Sequence, residues 1–361
     1  MERPRWIWSA ISLLALLVGC AAPVTQRVTV SDQATKDEAE KQRDIAIQEF
    51  VDEQKRLARI HGVLAIKAVS LCPAVGPYLG LFTMSKPAND FAAAYERVFG
   101  IQNRLTTLFV VENSPAERAG LKPRDVILKI NGASVAEAKA ATEVIDKIAL
   151  NADVPLEIER AGAKLTLAVQ PVKACRYPAR VTEQQIINAF ADGKSVFVAR
   201  GMMSFAKNDV ELATVLGHEM AHNTMAHIEA KKQNMGVGFV ADLAALLLSR
   251  GRVSNTNFAQ LGAQAYSQEF EAEADYVGLY ILAEAGFPID NAPSFWRRMA
   301  AGNPSGISAS HASSHPSTPY RMLALEETVK EIKDKIAKGL PLTPNLKDGK
   351  PQRPAQETGK K

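Results

Sequence analysis

The clearest chemical pattern in the chain is the run His218-Glu219-Met220-Ala221-His222. Residues four apart lie on one face of an α-helix, so both imidazoles can reach the same metal ion. Glu219 projects beside them, where its carboxylate can hold a water molecule. Zinc accepts histidine nitrogen readily and keeps one position open for water in catalytic sites. The spacing therefore predicts one catalytic zinc ion, and a chance occurrence of the pattern is the alternative.

A third metal ligand must come from elsewhere in the chain. On a continuous helix His227 lies half a turn out of phase with His218, which predicts that it faces away from the metal in a structural role. Downstream, Glu271 and Asp275 are four residues apart and share a helix face. One carboxylate can bind the metal while the other accepts a ligand imidazole N–H. From spacing alone, solvated surface carboxylates remain the alternative.

These residues need helices and a strand to position them. Asp209–Lys231 is predicted as a helix with Asp209 as its N-cap, and Tyr266–Ala285 as another that ends at Gly286 and Pro288. The strand around Val196, Phe197 and Val198 is the predicted free edge for pairing with an extended substrate. The apolar run 236–249 is too short to span a bilayer and is predicted to be a buried or interface-lying helix.

The N-terminal residues have the pattern of a secretory signal peptide. Arg3 and Arg5 precede an apolar run from Trp6 to Val18, which is shorter than a membrane-spanning helix. Leu17-Val18-Gly19-Cys20 resembles a bacterial lipobox, which predicts a signal peptide over residues 1–19, a lipid anchor on Cys20 and a tether over residues 20–35. A short membrane anchor with an incidental cysteine is the alternative. Ala21 after the cysteine favours the outer membrane in the Gram-negative pattern.

Two further cysteines remain after export. Cys72 and Cys175 in an oxidising compartment are a candidate disulfide, and two free buried cysteines are the alternative. The apolar residues of the charged segment before Cys72 recur with helical spacing, which predicts an N-terminal helix within residues 36–72 that packs on the catalytic core.

The segment between these cysteines has its own motifs. Ser114-Pro115-Ala116 leads to Ala119-Gly120-Leu121, and Asn131-Gly132 is a hairpin turn signal between apolar runs. This pattern resembles a bacterial PDZ domain over residues 77–174, although Arg124 stands where that family has glycine. The resemblance implies binding of an extended peptide, with Tyr78, Leu79, Gly80 and Leu81 as the carboxylate loop. A spacer without a ligand is the alternative.

Residues 176–340 carry motifs of one enzyme family. The runs LGHEMAHNTMAH, SQEFEAEAD and SSHPSTPYRM follow one another in this order. They resemble the zinc metallopeptidase family that contains HtpX, the CAAX prenyl protease and the outer-membrane quality-control enzyme BepA. The resemblance implies that Glu271 is the third zinc ligand and that Asp275 has a supporting or proton-donor role. It also implies that His315 approaches the metal or the reaction's oxyanion and that Arg321 lies nearby, where both can stabilise the oxyanion. A surface-loop position for His315 is the alternative.

Composition narrows the remaining possibilities. The 361 residues are 47% hydrophobic and 23% charged, which is typical of a globular protein with two or three domains. The formal charge of +4 arises from the two ends, because residues 20–340 are neutral in sum. A neutral body argues against nucleic acid as a partner. Residues 341–361 are predicted to be a disordered basic tail.

The sequence as a whole predicts an α+β protein. Its predicted parts are a mostly helical zincin-type metallopeptidase core with a short edge-strand sheet, and an inserted β-rich PDZ-like domain. The predicted function is a zinc endopeptidase that acts on unfolded or misfolded cell-envelope proteins, lipid-anchored at the periplasmic face of the outer membrane. A lipid-anchored chaperone or peptide-binding protein with a gated or idle metal site is the alternative, and a structural envelope protein is the third. The sequence does not indicate an oligomeric state.

Overall fold

A computed structural model of the chain describes residues 25–150, 152–233, 258–302 and 318–347. These ranges contain helices together with three β-sheets, in which nearly all strand pairs are antiparallel, and this confirms the α+β class. No helix among them combines the length and the apolar character needed to cross a membrane. The predicted lipidation site Cys20, the predicted helix 236–249 and His315 lie outside the described residues.

A long N-terminal helix, α1 (Asp32–Lys67), leads into the main body and is followed by a short 3-10 turn, Val69–Leu71. From Arg43 onward the chain belongs to one compact unit. Leu57 and Leu64 of α1 are fully buried in the same apolar core as Leu216 and Met220, which flank His218 in the sequence. The second half of α1 therefore supports the helix that carries the histidines.

The segment predicted as PDZ-like has a six-stranded sheet and an apolar core of its own. The elements are β1 (Val75–Tyr78), β2 (Leu81–Met84), α2 (Ala92–Phe99), β3 (Thr106–Val110), α3 (Pro115–Arg118), β4 (Val126–Ile130), β5 (Ala133–Ser134), α4 (Ala138–Ile145), β6 (Val154–Arg160), β7 (Ala163–Val169) and β8 (Val172–Cys175). The strands of the sheet run in the order β2-β3-β4-β6-β7, and β5 pairs with β4. Outside this sheet, β1 pairs antiparallel with β8, so the chain enters and leaves the segment through one two-stranded ribbon.

Backbone conformation explains two features of the PDZ-like motif. Asn131 and Gly132 both have positive φ, 51° and 79°, as the tight hairpin turn between β4 and β5 requires. Arg124, which stands where the PDZ pattern has glycine, also has a positive φ of 74°. Glycine adopts this conformation without strain, which accounts for the family's preference at that position.

The remainder of the chain contains a three-stranded sheet and five helices within the described ranges. Two of the helices, α6 and α7, pack closely along each other. The elements are β9 (Ala179–Thr182), β10 (Ala189–Ala191), β11 (Val196–Ala199), α5 (Arg200–Phe205), α6 (Asp209–Thr224), α7 (Phe258–Glu284), α8 (Ala292–Gly302) and α9 (Pro319–Ala337).

The strand order of the small sheet corrects one prediction. Val196, Phe197 and Val198 belong to β11, which pairs antiparallel with β10 on one side and parallel with β9 on the other. The prediction that this strand offers a free edge is therefore wrong, because both of its hydrogen-bonding sides are used. Strands β9 and β10 are the outer strands among the described residues.

The outer side of β9 is covered by a side chain of α1. The carboxamide of Gln54 accepts a hydrogen bond from the Val181 amide at 2.9 Å and donates one to the Ala179 carbonyl at 3.4 Å. Gln54 is buried and so takes the place of a neighbouring strand. Strand β10, in contrast, lies against α6.

An aromatic cluster joins α1 to the PDZ-like segment. Val51 and Ala58 of α1 pack with Phe109 and Val111, and the ring of Phe82 stacks on Phe109 with 4.4 Å between the centroids. Because Phe82 lies on β2 and Phe109 on β3, the helix supports one face of the segment's outer strand.

The first part of the predicted disordered tail makes ordered contacts. Lys335 donates to the carbonyl of Thr343 at 2.6 Å, and the Asn345 amide donates to the Tyr276 hydroxyl at 2.9 Å. Leu342 packs against the main core. Residues 341–347 are therefore held on α7 and α9, so the prediction of disorder is wrong for this part, and the rest of the predicted tail lies outside the described residues.

Candidate metal centre

Helix α6 carries the two histidines, and its start differs from the prediction. Asn208 is the N-cap, because its side chain accepts a hydrogen bond from the Glu211 amide at 3.0 Å. Asp209, the predicted N-cap, instead accepts bonds from Arg56 at 3.1 Å and Arg59 at 2.6 Å. Two arginines of α1 thus hold the first turn of the helix that carries the predicted metal ligands.

The two histidines meet on one face of α6, as their spacing predicts. Their Nε2 atoms are 3.2 Å apart, and both side chains are buried. Glu219 is buried as well. Burial lowers the pKa of His222, and the charge of Glu219 is one of the contributions that oppose this lowering. Together with Asp275 and Glu271, Glu219 also raises the pKa of Arg321 against the effect of burial.

The third predicted ligand comes from α7. Glu271 places Oε2 3.3 Å from Nε2 of His218 and Oε1 3.3 Å from Nε2 of His222. One ligand atom from each of the three residues lies within 4.8 Å of the others. The structure therefore brings the carboxylate of Glu271 on α7 to two imidazoles on α6, 49 residues after His222 and 53 after His218 in the sequence.

Asp275 and Arg321 lie behind these groups. Asp275 is one turn after Glu271, and its Oδ1 is 3.0 Å from Nδ1 of His218. Arg321 of α9 donates to Asp275 from Nε at 2.6 Å and from Nη2 at 2.8 Å. Its Nη1 is 3.2 Å from Oε2 of Glu271. Both residues are buried, so the guanidinium orients two carboxylates at once.

The buried charges move the pKa values of the two histidines apart. Burial lowers the pKa of His218, but hydrogen bonds and charges from Asp275 and Glu271 outweigh it and raise that pKa to about 10. Burial lowers the pKa of His222 to about 4. Burial alone raises the pKa of Asp275, yet the charge of Arg321 and its hydrogen bonds bring it below its ordinary value. The acidic partners of His218 therefore make it the more basic of the two rings, although both are buried.

The donor set fits a divalent metal ion. Two imidazole nitrogens and one carboxylate oxygen form the ligand set found in catalytic zinc sites, which keep a further position for water. With neutral histidines, the carboxylates of Glu219, Glu271 and Asp275 and the single guanidinium of Arg321 leave a net negative formal charge. A divalent cation neutralises such a charge, which would otherwise be costly to bury.

His227 contributes to this site in a way that its sequence position conceals. Helix α6 ends at Thr224, and Ala226 adopts a left-handed φ of 56°. This break turns His227 back, and its Nδ1 lies 3.0 Å from Nδ1 of His222. The ring of His227 lies on the side of His222 opposite Glu271, and it is not one of the three clustered ligands. No residue type in this turn signals the break that brings it to His222.

The predicted carboxylate loop lies at the start of the six-stranded sheet. Gly80 has a φ of 78°, and a Cβ there would lie 2.2 Å from Cβ of Ser114. The carbonyls of Leu79 and Gly80 accept hydrogen bonds from the amides of Ala116 and Val111. The loop is thus held against the first turn of α3, where strand β2 begins.

The two cysteines predicted to pair are bonded to each other. The Cα atoms of Cys72 and Cys175 are 5.6 Å apart, and 103 positions separate them in the sequence. The bond lies at the base of the β1–β8 ribbon, because Cys175 is the residue paired with Val75.

Comparison with known proteins assigns both parts of the chain. A model of peptidase family M48 matches residues 151–329, and a PDZ domain model matches residues 110–160. Over 178 residues the chain is 34% identical to the mitochondrial metalloendopeptidase OMA1 of Schizosaccharomyces pombe, covering 48% of this chain and 52% of that protein. Over 127 residues it is 31% identical to the beta-barrel assembly-enhancing protease of Yersinia pestis, covering 32% of this chain and 26% of that protein.

The chain therefore spans about half, or less, of the length of these curated relatives. Among solved structures, the HtrA3 PDZ domain bound to a phage-derived ligand matches with 18% identity and a TM-score of 0.22, covering 27% of this chain and 88% of that chain. The two family matches overlap at residues 151–160, and His218, His222 and Glu271 fall inside the peptidase match. The chain is a homologue of these metalloendopeptidases that carries a peptidase family M48 domain together with a PDZ domain.

Proposed function

We propose that this chain is a zinc-dependent endopeptidase that hydrolyses peptide bonds in unfolded or misfolded cell-envelope proteins. The proposal rests on one observation: His218, His222 and Glu271 form a buried cluster of possible metal ligands, with Glu219 beside them. Zinc is the metal that this ligand set favours, and when bound it supplies a Lewis acid that activates water and polarises a carbonyl.

The protein's own groups divide the remaining work. Glu219 takes the proton of the attacking water and delivers it to the leaving amine, which is the role of a general base and then a general acid. Asp275 accepts the Nδ1–H of His218, so that Nε2 of that ring faces the metal position. Arg321 contacts both Asp275 and Glu271, which supports a role in holding ligands rather than in binding the oxyanion. His315 remains a proposed oxyanion group.

Extended substrates are proposed to contact the side chains exposed beside strand β10. Gln54 already occupies the side of β9, and β11 lies in the middle of the sheet. Strand β10 lies against α6, the helix that carries the histidines. Ile186, Ile187 and Phe190 are exposed beside it, and such side chains suit contact with apolar residues of unfolded chains.

The PDZ domain is proposed to assist by holding part of the same polypeptide. PDZ domains bind an extended peptide at an exposed strand edge, and β2 is an outer strand of the six-stranded sheet. The loop Tyr78–Leu81 precedes that strand, and we propose it as the carboxylate-binding loop. No nucleic-acid partner is proposed.

The site of action is proposed from the N-terminal motif. Cleavage before Cys20 and lipidation of that residue would anchor the protein at the periplasmic face of the outer membrane. The bond between Cys72 and Cys175 supports an oxidising compartment, because disulfides persist there and are rare in the cytosol.

One comparison tests the activity. Wild-type protein and Glu219→Gln are assayed for cleavage of casein as an unfolded substrate, and bound zinc is measured in both. We expect about one zinc per chain in each, with cleavage at least ~100-fold slower in the variant because the proton acceptor is gone. Glu327→Gln, an exposed carboxamide change on α9, is the matched control and should cleave like wild type.

Two outcomes would overturn the proposal. Zinc bound without cleavage by wild type would favour the alternative, a lipid-anchored chaperone or peptide-binding protein with a gated or idle metal site. Absence of zinc from both proteins would remove the metal assignment itself.

A further inference from the structure

His227 is a buried histidine to which the proposed reaction assigns no role. Its side chain is 3% exposed, and its ring stacks on Phe270 with 4.7 Å between centroids and an interplanar angle of 19°. Nδ1 lies 3.0 Å from Nδ1 of His222, and Nε2 lies 2.9 Å from Oε2 of Glu273. Both ring nitrogens of His227 therefore lie within hydrogen-bond distance of another side chain, and one of these side chains, His222, is a predicted metal ligand.

The proton positions along this chain of contacts follow from the geometry. Nε2 of His222 faces Glu271 and His218, so its lone pair must be free when a metal binds there. The ring proton of His222 then sits on Nδ1 and points to Nδ1 of His227. His227 must accept this bond with Nδ1, and its own proton sits on Nε2, where it is donated to Glu273.

The imidazole of His218, the other predicted histidine ligand, also has a carboxylate partner at its second nitrogen, but without an intervening histidine. Nδ1 of His218 meets the carboxylate of Asp275 directly, whereas His222 reaches the carboxylate of Glu273 through His227. Metal-binding histidines are generally held by such a partner on the second nitrogen. The backbone at Ala226 is consistent with this arrangement. Its left-handed conformation is strained for a non-glycine residue, and this conformation brings the His227 ring to His222.

We propose that His227 is a positioning residue for the metal centre, which with Glu273 fixes the tautomer and orientation of His222. The inference rests on the proposed function only in requiring that His218, His222 and Glu271 bind zinc. It assigns no contact between His227 and the substrate or the metal.

The experiment measures zinc affinity by competition with a chromophoric chelator on the full chain. The variants are His227→Phe, which retains an aromatic ring against Phe270 but has no acceptor, and His227→Asn, whose Oδ1 can accept the bond from His222. We expect His227→Phe to weaken zinc binding by about 10- to 100-fold, the usual effect of losing such a partner. His227→Asn should recover most of that loss. His61→Phe, the same change at a buried histidine of α1, should bind zinc like wild type.

A second readout separates positioning from general damage. Nitrogen-15 spectra of the histidine rings report which nitrogen carries the proton, and zinc-loaded wild type should show His222 protonated at Nδ1. In His227→Phe the zinc-loaded spectrum should show this Nδ1 proton exchanging rapidly with water, while the His218 signal stays unchanged. Thermal unfolding of each variant checks that the fold is retained.

The outcomes distinguish a failure of the proposed zinc site from a failure of the proposed role of His227. Wild type that binds no zinc contradicts the proposed function. Wild type that binds zinc tightly, together with a folded His227→Phe of equal affinity and an unchanged His222 signal, overturns the role of His227 alone. If His227→Phe does not fold, equal loss of affinity in His227→Asn and in His227→Leu would overturn it, because an acceptor would then make no difference.

Discussion

Gly217 and Gly278 face each other where α6 and α7 cross beside the metal centre. A Cβ on Gly278 would lie 3.0 Å from the backbone nitrogen of His218, and a Cβ on Gly217 would lie 2.3 Å from Cδ1 of Leu282. Gly217 directly precedes His218, and Gly278 follows Asp275 by less than one turn. The two missing side chains therefore set the separation of the helices that bring His218 and Asp275 together.

Gly278→Ala should destabilise the protein. Alanine is the better helix former by about 1 kcal/mol, so an unobstructed site would gain stability. Here the added methyl meets backbone, and overpacking of this kind costs about 1–3 kcal/mol. Urea unfolding of metal-free protein measures the change. Gly302→Ala is the control, because a Cβ on this helical glycine meets nothing within 4 Å, and it should be neutral or stabilising. A stabilised Gly278→Ala would contradict the close approach.

Removing the guanidinium of Arg321 should be severely destabilising. Arg321→Met leaves the carboxylates of Asp275 and Glu271 buried without their cation, which typically costs about 3–5 kcal/mol. Denaturant unfolding of the metal-free protein gives the value. The double variant Arg321→Met/Asp275→Leu should lose less than the two single variants added together, because one uncompensated charge is gone with its partner.

A matched surface pair shows that burial is the cause. Arg297 and Glu326 form an ion pair at 2.6 Å in which both side chains are more than two-fifths exposed. Arg297→Met should therefore change stability by less than about 1 kcal/mol. Similar losses for Arg297→Met and Arg321→Met would argue against the buried charge cluster.

His61 should make the protein sensitive to mild acid. Burial lowers the pKa of His61 to about 4, although a backbone hydrogen bond at Tyr177 partly opposes this. The unfolded chain takes up that proton near pH 6.5, so between pH 6.5 and 4 the unfolded state binds more protons than the folded one. The free energy of unfolding should therefore fall by about 3 kcal/mol as the pH falls through this window.

Unfolding of wild type and His61→Asn at several pH values tests this expectation. The asparagine retains a donor but does not titrate, so the slope between pH 6.5 and 4 should be smaller than in wild type. Parallel slopes would show that other groups dominate the acid response.

The disulfide should contribute measurably to stability. Loss of a native disulfide typically costs about 2–5 kcal/mol, because the unfolded chain regains the freedom of the closed loop. The variant Cys72→Ala/Cys175→Ala should unfold at a lower temperature than wild type, and reductant should lower the midpoint of wild type but not of the variant. Equal midpoints with and without reductant would contradict a structural bond.

Gly80 should matter for long substrates alone. Because a Cβ at Gly80 meets Ser114 at 2.2 Å, Gly80→Ala should distort the proposed carboxylate loop without reaching the metal ligands. We expect a higher KM for casein and unchanged kcat/KM for a short peptide that contacts only the metal centre. Gly162→Ala, also at a positive φ but with nothing within 4 Å, controls for backbone strain. A lower kcat/KM for the short peptide would argue against separate roles.

The site could be predicted largely because its signals are local. Helical spacing places His218 and His222 on one face, and the same rule places Glu271 beside Asp275. Family motifs then joined two segments that spacing alone could not connect. The turn at Asn131-Gly132 and the pairing of Cys72 with Cys175 likewise followed from residue types.

The errors arise where a distant residue decides the structure. Strand β11 is four residues long, and its position in the middle of the sheet depends on β9 and β10 rather than on its own sequence. The role of Gln54 depends on helix packing across more than 120 positions. The contact of His227 with His222 is a further feature that helical spacing does not predict, because Ala226 adopts a left-handed conformation that alanine rarely takes.

The disulfide-closed ribbon makes the PDZ domain an exchangeable cassette. Its entry and exit residues, Tyr78 and Val172, are paired at the far end of the ribbon that the Cys72–Cys175 bond closes. Residues 79–171 can therefore be exchanged for a short linker while the ribbon stays in place. Such an excision would uncover Val51 and Ala58, which now pack against Phe109. A chain that loses or gains this domain, in the laboratory or in evolution, must therefore change the polarity of one stripe of α1 at the same time.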